Sequence, residues 1–261
     1  MSIDPYRHPY LYDLEYETLD EDLDYYVNLA RSVGRTVLEL GCGNGRISLP
    51  IVKAGVALHG IDCSTAMLDD LRKKRACQRP EVQRMLSYSL GDFETLGPDS
   101  AWPPNVKQAL YSLILLPFNA IHHCKTPESV QAMLAGVTSL LAPGGTFALD
   151  GYFPDPELQK RDPNEKHEPM EFKHPKTGET ITSWEQGWWE TETQIYNVVY
   201  TYAHPDGSEQ NTHLRLRMYE QAELFALFEQ AGFQVVWTAS DFEGTPLKPG
   251  ALKWVARLQR K

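Results

Sequence analysis

The pattern of apolar and polar positions changes character near residue 150. Before it, short apolar runs recur: Thr36 to Leu40, Ala57 to Ile61, a third run ending at Leu90, Ala109 to Leu116, and Thr146 to Asp150. Each has strand length, and the fourth is apolar without alternation, as in a parallel sheet buried on both faces. Between them the spacing is helical. Thr18-x-x-Glu21 reads as a capping box opening a helix through about Ser32, with Leu23, Tyr26, Val27 and Ala30 on one face. Ser64 can cap the next helix, with Met67, Leu68 and Leu71 on one face. Thr126-Pro127-Glu128 places a cap before a proline at the first helical position, and Pro143-Gly144-Gly145 closes that helix. Strands alternating with helices predict a doubly wound α/β sheet.

After it, residues 154–180 are rich in proline and charge and read as loop. From about 181 to 218 the chain tends to alternate every second residue, with a hairpin turn at Pro205-Asp206-Gly207-Ser208. Leu214, Leu216 and Met218 face one way, Arg215 and Arg217 the other. This predicts a small antiparallel sheet of about three strands inserted into the core. A helix from Glu220 to Ala231, ended by Gly232, and two strands at about 233–239 and 251–258 complete the chain. Four segments result: 1–34, an N-terminal strap and helix; 35–153, the core; 154–218, the insert; 219–261, the completion of the core. There is no internal repeat and no low-complexity stretch.

A chain of 261 residues with net charge −10 argues against a nucleic-acid partner, whose binders present a basic face. The basic cluster Arg72 to Arg75 with Arg79 falls at a helix end, where cations suit the dipole. No apolar run approaches the roughly 20 residues of a membrane span. The N-terminus is acidic and tyrosine-rich, unlike a signal peptide. Cys42, Cys63, Cys77 and Cys124 lack CxxC spacing and read as reduced thiols of a cytoplasmic protein.

The chemistry is concentrated in Val-Leu-Glu-Leu-Gly-Cys-Gly-Asn-Gly-Arg, residues 37–46. A strand runs into glycines at alternate positions, Gly41, Gly43 and Gly45, which allow a sharp turn and let a ligand touch bare backbone. Asp62 ends the second run about 20 residues later, where an acid suits a ribose diol. The nicotinamide fingerprint is G-x-G-x-x-G, but here the third glycine comes one residue early and Glu39 stands two before the first. The resulting E-x-G-x-G-x-G resembles motif I of the class I S-adenosylmethionine-dependent methyltransferases. Leu-Gly-Asp-Phe-Glu, residues 90–94, matches in order and spacing, and the resemblance covers about 35–150. It implies S-adenosylmethionine as cofactor and no metal, with Glu39, Gly41, Gly43, Asn44 and Gly45 in the loop. It implies that Asp62 holds the ribose with Cys63 and Met67 close behind, and that Asp92 and Phe93 hold the adenine. The terminal strand pair is the variation that this family makes on the Rossmann sheet.

The segment Leu115 to Cys124 is similar to the loop after strand four of glycine- and sarcosine-type N-methyltransferases, where an Asn and a His recur at this spacing. The resemblance implies that Leu116 lines the cofactor, Asn119 shapes the loop and His123 lies near the site. His122 or His123 could then act as general base, or either could simply pack or cap a helix. The arginine that holds an amino-acid carboxylate in glycine-type enzymes is missing: Asp150 is followed by Gly151-Tyr152-Phe153. Arg215 or Arg217 could substitute, or could lie on an exposed strand face. In related small-molecule enzymes an N-terminal segment folds over the cofactor as a lid. Tyr12 and Tyr16 are the residues expected near the methyl group, within a stretch that also holds Tyr6 and Tyr10. Trp184, Trp188 and Trp189 could wall a substrate site or form the core of the insert. The expected activity is methyl transfer to a nitrogen or oxygen of a small molecule. The alternatives are a protein or nucleic-acid substrate and a cofactor-binding protein without catalysis. Trp102-Pro103-Pro104-Asn105 does not match the Asn/Asp-Pro-Pro-aromatic motif used on exocyclic amines of nucleic acids. Acceptor identity and oligomeric state are open at this level.

Overall fold

A computed structural model describes residues 5–16, 18–34, 36–95, 110–167, 169–174 and 177–261. The five apolar runs form β1 (Val37–Leu40), β2 (Leu58–Asp62), β3 (Leu86–Leu90), β4 (Tyr111–Leu116) and β5 (Leu141–Tyr152). All five are parallel, in the order β3-β2-β1-β4-β5. The last two strands, β10 (Phe233–Ala239) and β11 (Lys253–Arg260), add an antiparallel edge in which β11 lies between β5 and β10. The expected doubly wound sheet with a paired C-terminal strand is therefore present. Ala109 and the Trp102–Asn105 stretch lie outside the described residues.

Both faces of the sheet are covered, which is why its strands carry apolar side chains without alternation. One face packs α2 (Leu23–Val33), α3 (Ser48–Lys53), α4 (Thr65–Ala76) and α5 (Pro80–Met85) through Tyr26, Ile51, Leu71 and Val82. The other packs α6 (Pro127–Leu140) and α7 (Gln221–Gln230) through Leu134, Val137, Leu224 and Phe228. The caps at Ser64 and Thr126 form as expected, the latter as a reciprocal box with Ser129.

Three local expectations fail. The helix expected from Thr18 begins only at Leu23. Its cap position is Asp22, and that carboxylate does not cap: it takes two charge-assisted bonds from Arg46, at 2.8 and 2.5 Å, which outweigh a neutral N–H contact. α6 stops at Leu140, short of Pro143-Gly144-Gly145, which instead falls inside the irregular start of β5. The short helix α5 follows Arg79 with a proline at its first turn, a start signal passed over in the sequence.

The insert is a separate four-stranded antiparallel sheet: β6 (Met170–Lys173), β7 (Thr180–Glu190), β8 (Ile195–Ala203) and β9 (Glu209–Arg217). It has one strand more than expected, because β6 occupies part of the stretch read as loop. The N-terminal helix α1 (Pro9–Tyr16) packs Leu11 against Ile181 and Tyr202 of this sheet. It thereby bridges insert and core over the carboxyl ends of β1–β5, where open α/β sheets bind ligands.

Candidate functional site

The glycine loop leaves β1 with Gly41, Gly43 and Gly45 all at positive φ, at 69°, 52° and 91°. Their roles differ. A side chain at Gly45 would meet Leu71 at 2.4 Å, so this glycine serves core packing. One at Gly41 would only touch the Phe93 ring at 3.4 Å, so the left-handed backbone there, not lack of space, is what favours glycine. Gly43 has only the Met67 methyl within reach, at 3.6 Å, so its backbone faces a gap. Asp62 closes that gap at the end of β2. Its carboxylate accepts the Gly43 N–H at 2.7 Å and the Ser64 N–H at 2.8 Å, which fixes it at the rim.

These residues line one cavity of about 120 Å³: Gly41, Gly43 and Asp62, then Cys63, Met67, Asp92 and Phe93, with Tyr12 across from them. Eight of the residues expected to bind the cofactor therefore converge. Bare backbone, a fixed acid, a second acid and a flat ring suit an adenosine with its ribose. Five expected residues lie elsewhere. Leu116 is fully buried and lines no described cavity. Glu39 is buried beneath the loop and accepts from the Ser48 hydroxyl, and burial pushes its carboxyl up to about 8. Asn44 and Gly45 face an outer groove, where Asn44 donates to Asp13 at 2.7 Å. Tyr16 lines the neighbouring cavity.

The loop after β4 carries a conformational oddity. Phe118 and Asn119 both adopt left-handed backbone, φ 59° and 60°, which is uncommon for a bulky residue. Asp150, at the end of β5, holds them there by accepting the Phe118 N–H at 2.8 Å and the Asn119 N–H at 3.1 Å. Tyr26 of α2 donates to the same carboxylate. The resulting turn aims the Phe118 ring outward, beneath the Arg46 guanidinium at 4.1 Å and against Tyr16 at 4.9 Å.

A second cavity of about 250 Å³ opens beyond Phe118, between α1 and the insert. Tyr6, Tyr12, Phe118 and His123 line both cavities and form the wall between them. From the insert come Tyr200 and Tyr202 of β8 with Leu214 and Leu216 of β9. The tryptophans do not contribute. In the β7–β8 register Trp184 pairs with Thr201 and Trp188 with Asn197, which puts both on the face opposite Tyr200 and Tyr202. Trp189 packs in the small core around Tyr196, Val198 and Met218. Arg215 and Arg217 are engaged with Glu190 and Glu223, at 3.1 and 2.6 Å, and line neither cavity.

The two histidines part company. His122 is buried and uses both ring nitrogens: Nδ1 donates to the Arg217 carbonyl at 2.7 Å, and Nε2 accepts the Tyr152 N–H at 3.0 Å. Protonation would set an N–H against an N–H, and burial pushes this ring down to about 4. Its place is structural, joining the insert to β5. His123 faces both cavities and its Nε2 pairs with the Tyr6 hydroxyl at 2.8 Å. Burial, assisted by Lys125, likewise pushes it down to about 4, so it is neutral near pH 7. Sequence reasoning passed over Phe118 and Glu94, and placed Tyr6 in the lid without assigning it to the site. No sequence signal marks Phe118, because its role depends on a positive φ imposed from β5.

Residues 37–145 match the family model described as a methyltransferase domain. The chain is 33% identical over 117 residues to the cypemycin N-terminal methyltransferase of a Streptomyces species, covering 45% of this chain and 42% of that one. It is 30% identical over 112 residues to a ubiquinone biosynthesis O-methyltransferase of Coxiella burnetii, covering 43% and 41%. The chain thus matches less than half the length of these relatives. Among solved structures, the CcbJ methyltransferase of Streptomyces caelestis superposes with a TM-score of 0.75 at 23% identity, covering 94% of this chain and 98% of that one. The fold therefore extends over nearly the whole chain, while the family model covers the part that carries the glycine loop and both acids. Residues 37–145 thus match a methyltransferase domain, and the chain as a whole has the fold of a solved methyltransferase.

Proposed function

We propose that this protein transfers a methyl group from S-adenosylmethionine to a nitrogen or oxygen of a small molecule. The observation that carries the reading is the shared wall. A cavity built like an adenosine site and a second, tyrosine-rich cavity meet at Tyr6, Tyr12, Phe118 and His123. When bound, the cofactor supplies an electrophilic methyl on a sulfonium. The protein has to hold an acceptor in line with it and keep water out. Asp62 and the Gly43 backbone hold the ribose end, and Asp92 with Phe93 the adenine. Tyr12 and Phe118 separate the two ligands. His123, neutral and paired with Tyr6, is the group placed to take a proton from the acceptor. The small second cavity, about 250 Å³, and the net charge of −10 favour a small molecule over nucleic acid. Among the described residues no helix is long and apolar enough to cross a membrane. With no disulfide among its four cysteines, two of which are exposed, we place the protein in the cytoplasm.

The test has two arms. S-adenosylhomocysteine should bind in calorimetry, and Asp62→Ala should weaken it by about 1–3 kcal/mol through loss of charge-assisted hydrogen bonds. Labelled methyl from S-adenosylmethionine should appear in a small-molecule acceptor. Binding without transfer to any amine, phenol or alcohol tried would leave a cofactor-binding protein. Equal affinity of wild type and mutant would unseat Asp62.

A further inference from the structure

The second cavity has a distinctive charge pattern. Among the described residues that line it, Glu15 is the one acid, and no lysine or arginine is present. His123 adds no positive charge near pH 7. Six tyrosines line the cavity: Tyr6, Tyr12, Tyr16, Tyr152, Tyr200 and Tyr202. Glu15 lies on α1, and its carboxylate accepts from the Tyr202 hydroxyl of the insert. A second acid, Glu185, adds like charge to its surroundings. Burial, more than Glu185, pushes the Glu15 carboxyl up to about 7, so its ionised form is left without a cation to offset it. Asn119 adds a buried side-chain oxygen that has no hydrogen-bond partner among the described residues. The cavity thus offers acceptors, negative ring faces and an uncompensated carboxylate.

We propose that the methyl acceptor carries a protonated nitrogen, and that Glu15 is its counter-ion within a cage of tyrosine rings. This rests on the reading of the second cavity as the acceptor site. An ammonium would offset the buried carboxylate, gain from the ring faces and supply N–H donors. A neutral alcohol of the same shape would gain only the burial of its apolar body. A carboxylate would meet like charge with no cation to hold it, which agrees with the missing arginine after Asp150. The lid and the insert, joined at Glu15 and Tyr202, would therefore read acceptor charge.

The experiment uses the full chain saturated with S-adenosylhomocysteine and three probes with one aromatic body: phenethylamine, phenethyl alcohol and hydrocinnamate. Phenethylamine should raise the melting temperature and bind on the order of tenfold more tightly than the alcohol, as expected for cation–ring and ion-pair contacts. Hydrocinnamate should bind worst. Glu15→Gln should bring the amine and the alcohol to similar affinity, while Glu15→Asp, which keeps the charge, should preserve their order. The shift caused by S-adenosylhomocysteine alone reads the cofactor site separately. If it is absent, the methyltransferase reading falls and this proposal with it. If it is present but the amine is not preferred in the wild type, or the preference survives in Glu15→Gln, Glu15 is not the counter-ion. The wild-type series decides even if Glu15→Gln does not fold.

Discussion

His122 and His123 are adjacent, both are pushed down to about 4 by burial, and yet they call for opposite experiments. His122→Ala would remove the buried ring that bonds the Arg217 carbonyl and the Tyr152 N–H, and so cut the tie between β9 and β5. It should lower stability by at least about 2 kcal/mol in denaturant unfolding. His123→Gln should leave stability and cofactor affinity nearly intact and slow turnover by about 10²–10⁴-fold if it accepts the proton. Full turnover in His123→Gln would mean that positioning alone drives transfer. Sequence alone names the pair but cannot divide it. Which ring meets a carbonyl and which meets a cavity depends on how β9 passes the loop after β4. The cofactor residues were far easier to read. Gly41, Gly43, Asp62, Asp92 and Phe93 follow parallel strands in order, so the periodicity that reveals the strands also places the ligand groups at their ends.

At the level of elements, the decisive piece is α1. Asp13 ties it to Lys74 and Asn44, Tyr6 ties the preceding turn to His123, and the Ser64 hydroxyl donates to the Tyr6 carbonyl at 3.1 Å. The cavity below is about 120 Å³, against roughly 300–1,000 Å³ for typical ligand sites, so on the proposed reading α1 would move aside as a nucleoside enters. Loosening the ties should speed both entry and exit. In stopped-flow measurements Asp13→Asn is expected to raise the association and dissociation rates of S-adenosylhomocysteine together. Added salt should do the same to the wild type, because the Asp13–Lys74 pair is half-exposed and screened. Unchanged rates would show that the lid is not held there. The strap's tyrosines were visible in the sequence, but not their division between cavities. Tyr12 reaches both and Tyr16 one, a difference set by the helical turn between them.

Across the whole molecule, stability should carry the signature of carboxyls buried in the active half. Burial raises Glu39 from 4.5 to about 8. An acid whose folded-state value is raised contributes stability that is full below the unfolded value and lost as pH rises through the folded one. Glu15, at about 7, and Asp150, at about 6, act in the same sense. His122 and His123 act the other way: their contribution is present above 6.5 and lost as pH falls toward about 4. The two sets oppose one another below 6.5, and the acids stand alone above it. The melting temperature should therefore fall between about pH 6.5 and 8, and Glu39→Gln should flatten that fall. A wild-type profile level over this range would contradict it. The alternation of strands and helices and the terminal strand pair were legible because short apolar runs are separated by capped helices and turn residues. The second cavity was not, because Tyr6, Phe118, Tyr202 and Leu214 are far apart in the chain and meet only through topology. That dispersal has an evolutionary consequence. On the proposed reading, most of the donor site lies inside residues 37–145, and much of the acceptor site lies in α1 and the insert, outside them. Ancestry traced through the matched stretch is therefore informative about what gives the methyl and nearly silent about what receives it. Relatives of similar identity are named as a cypemycin N-terminal methyltransferase and a ubiquinone biosynthesis O-methyltransferase. It also marks the lid and the insert as the parts to exchange when the catalyst is to be redirected to another acceptor.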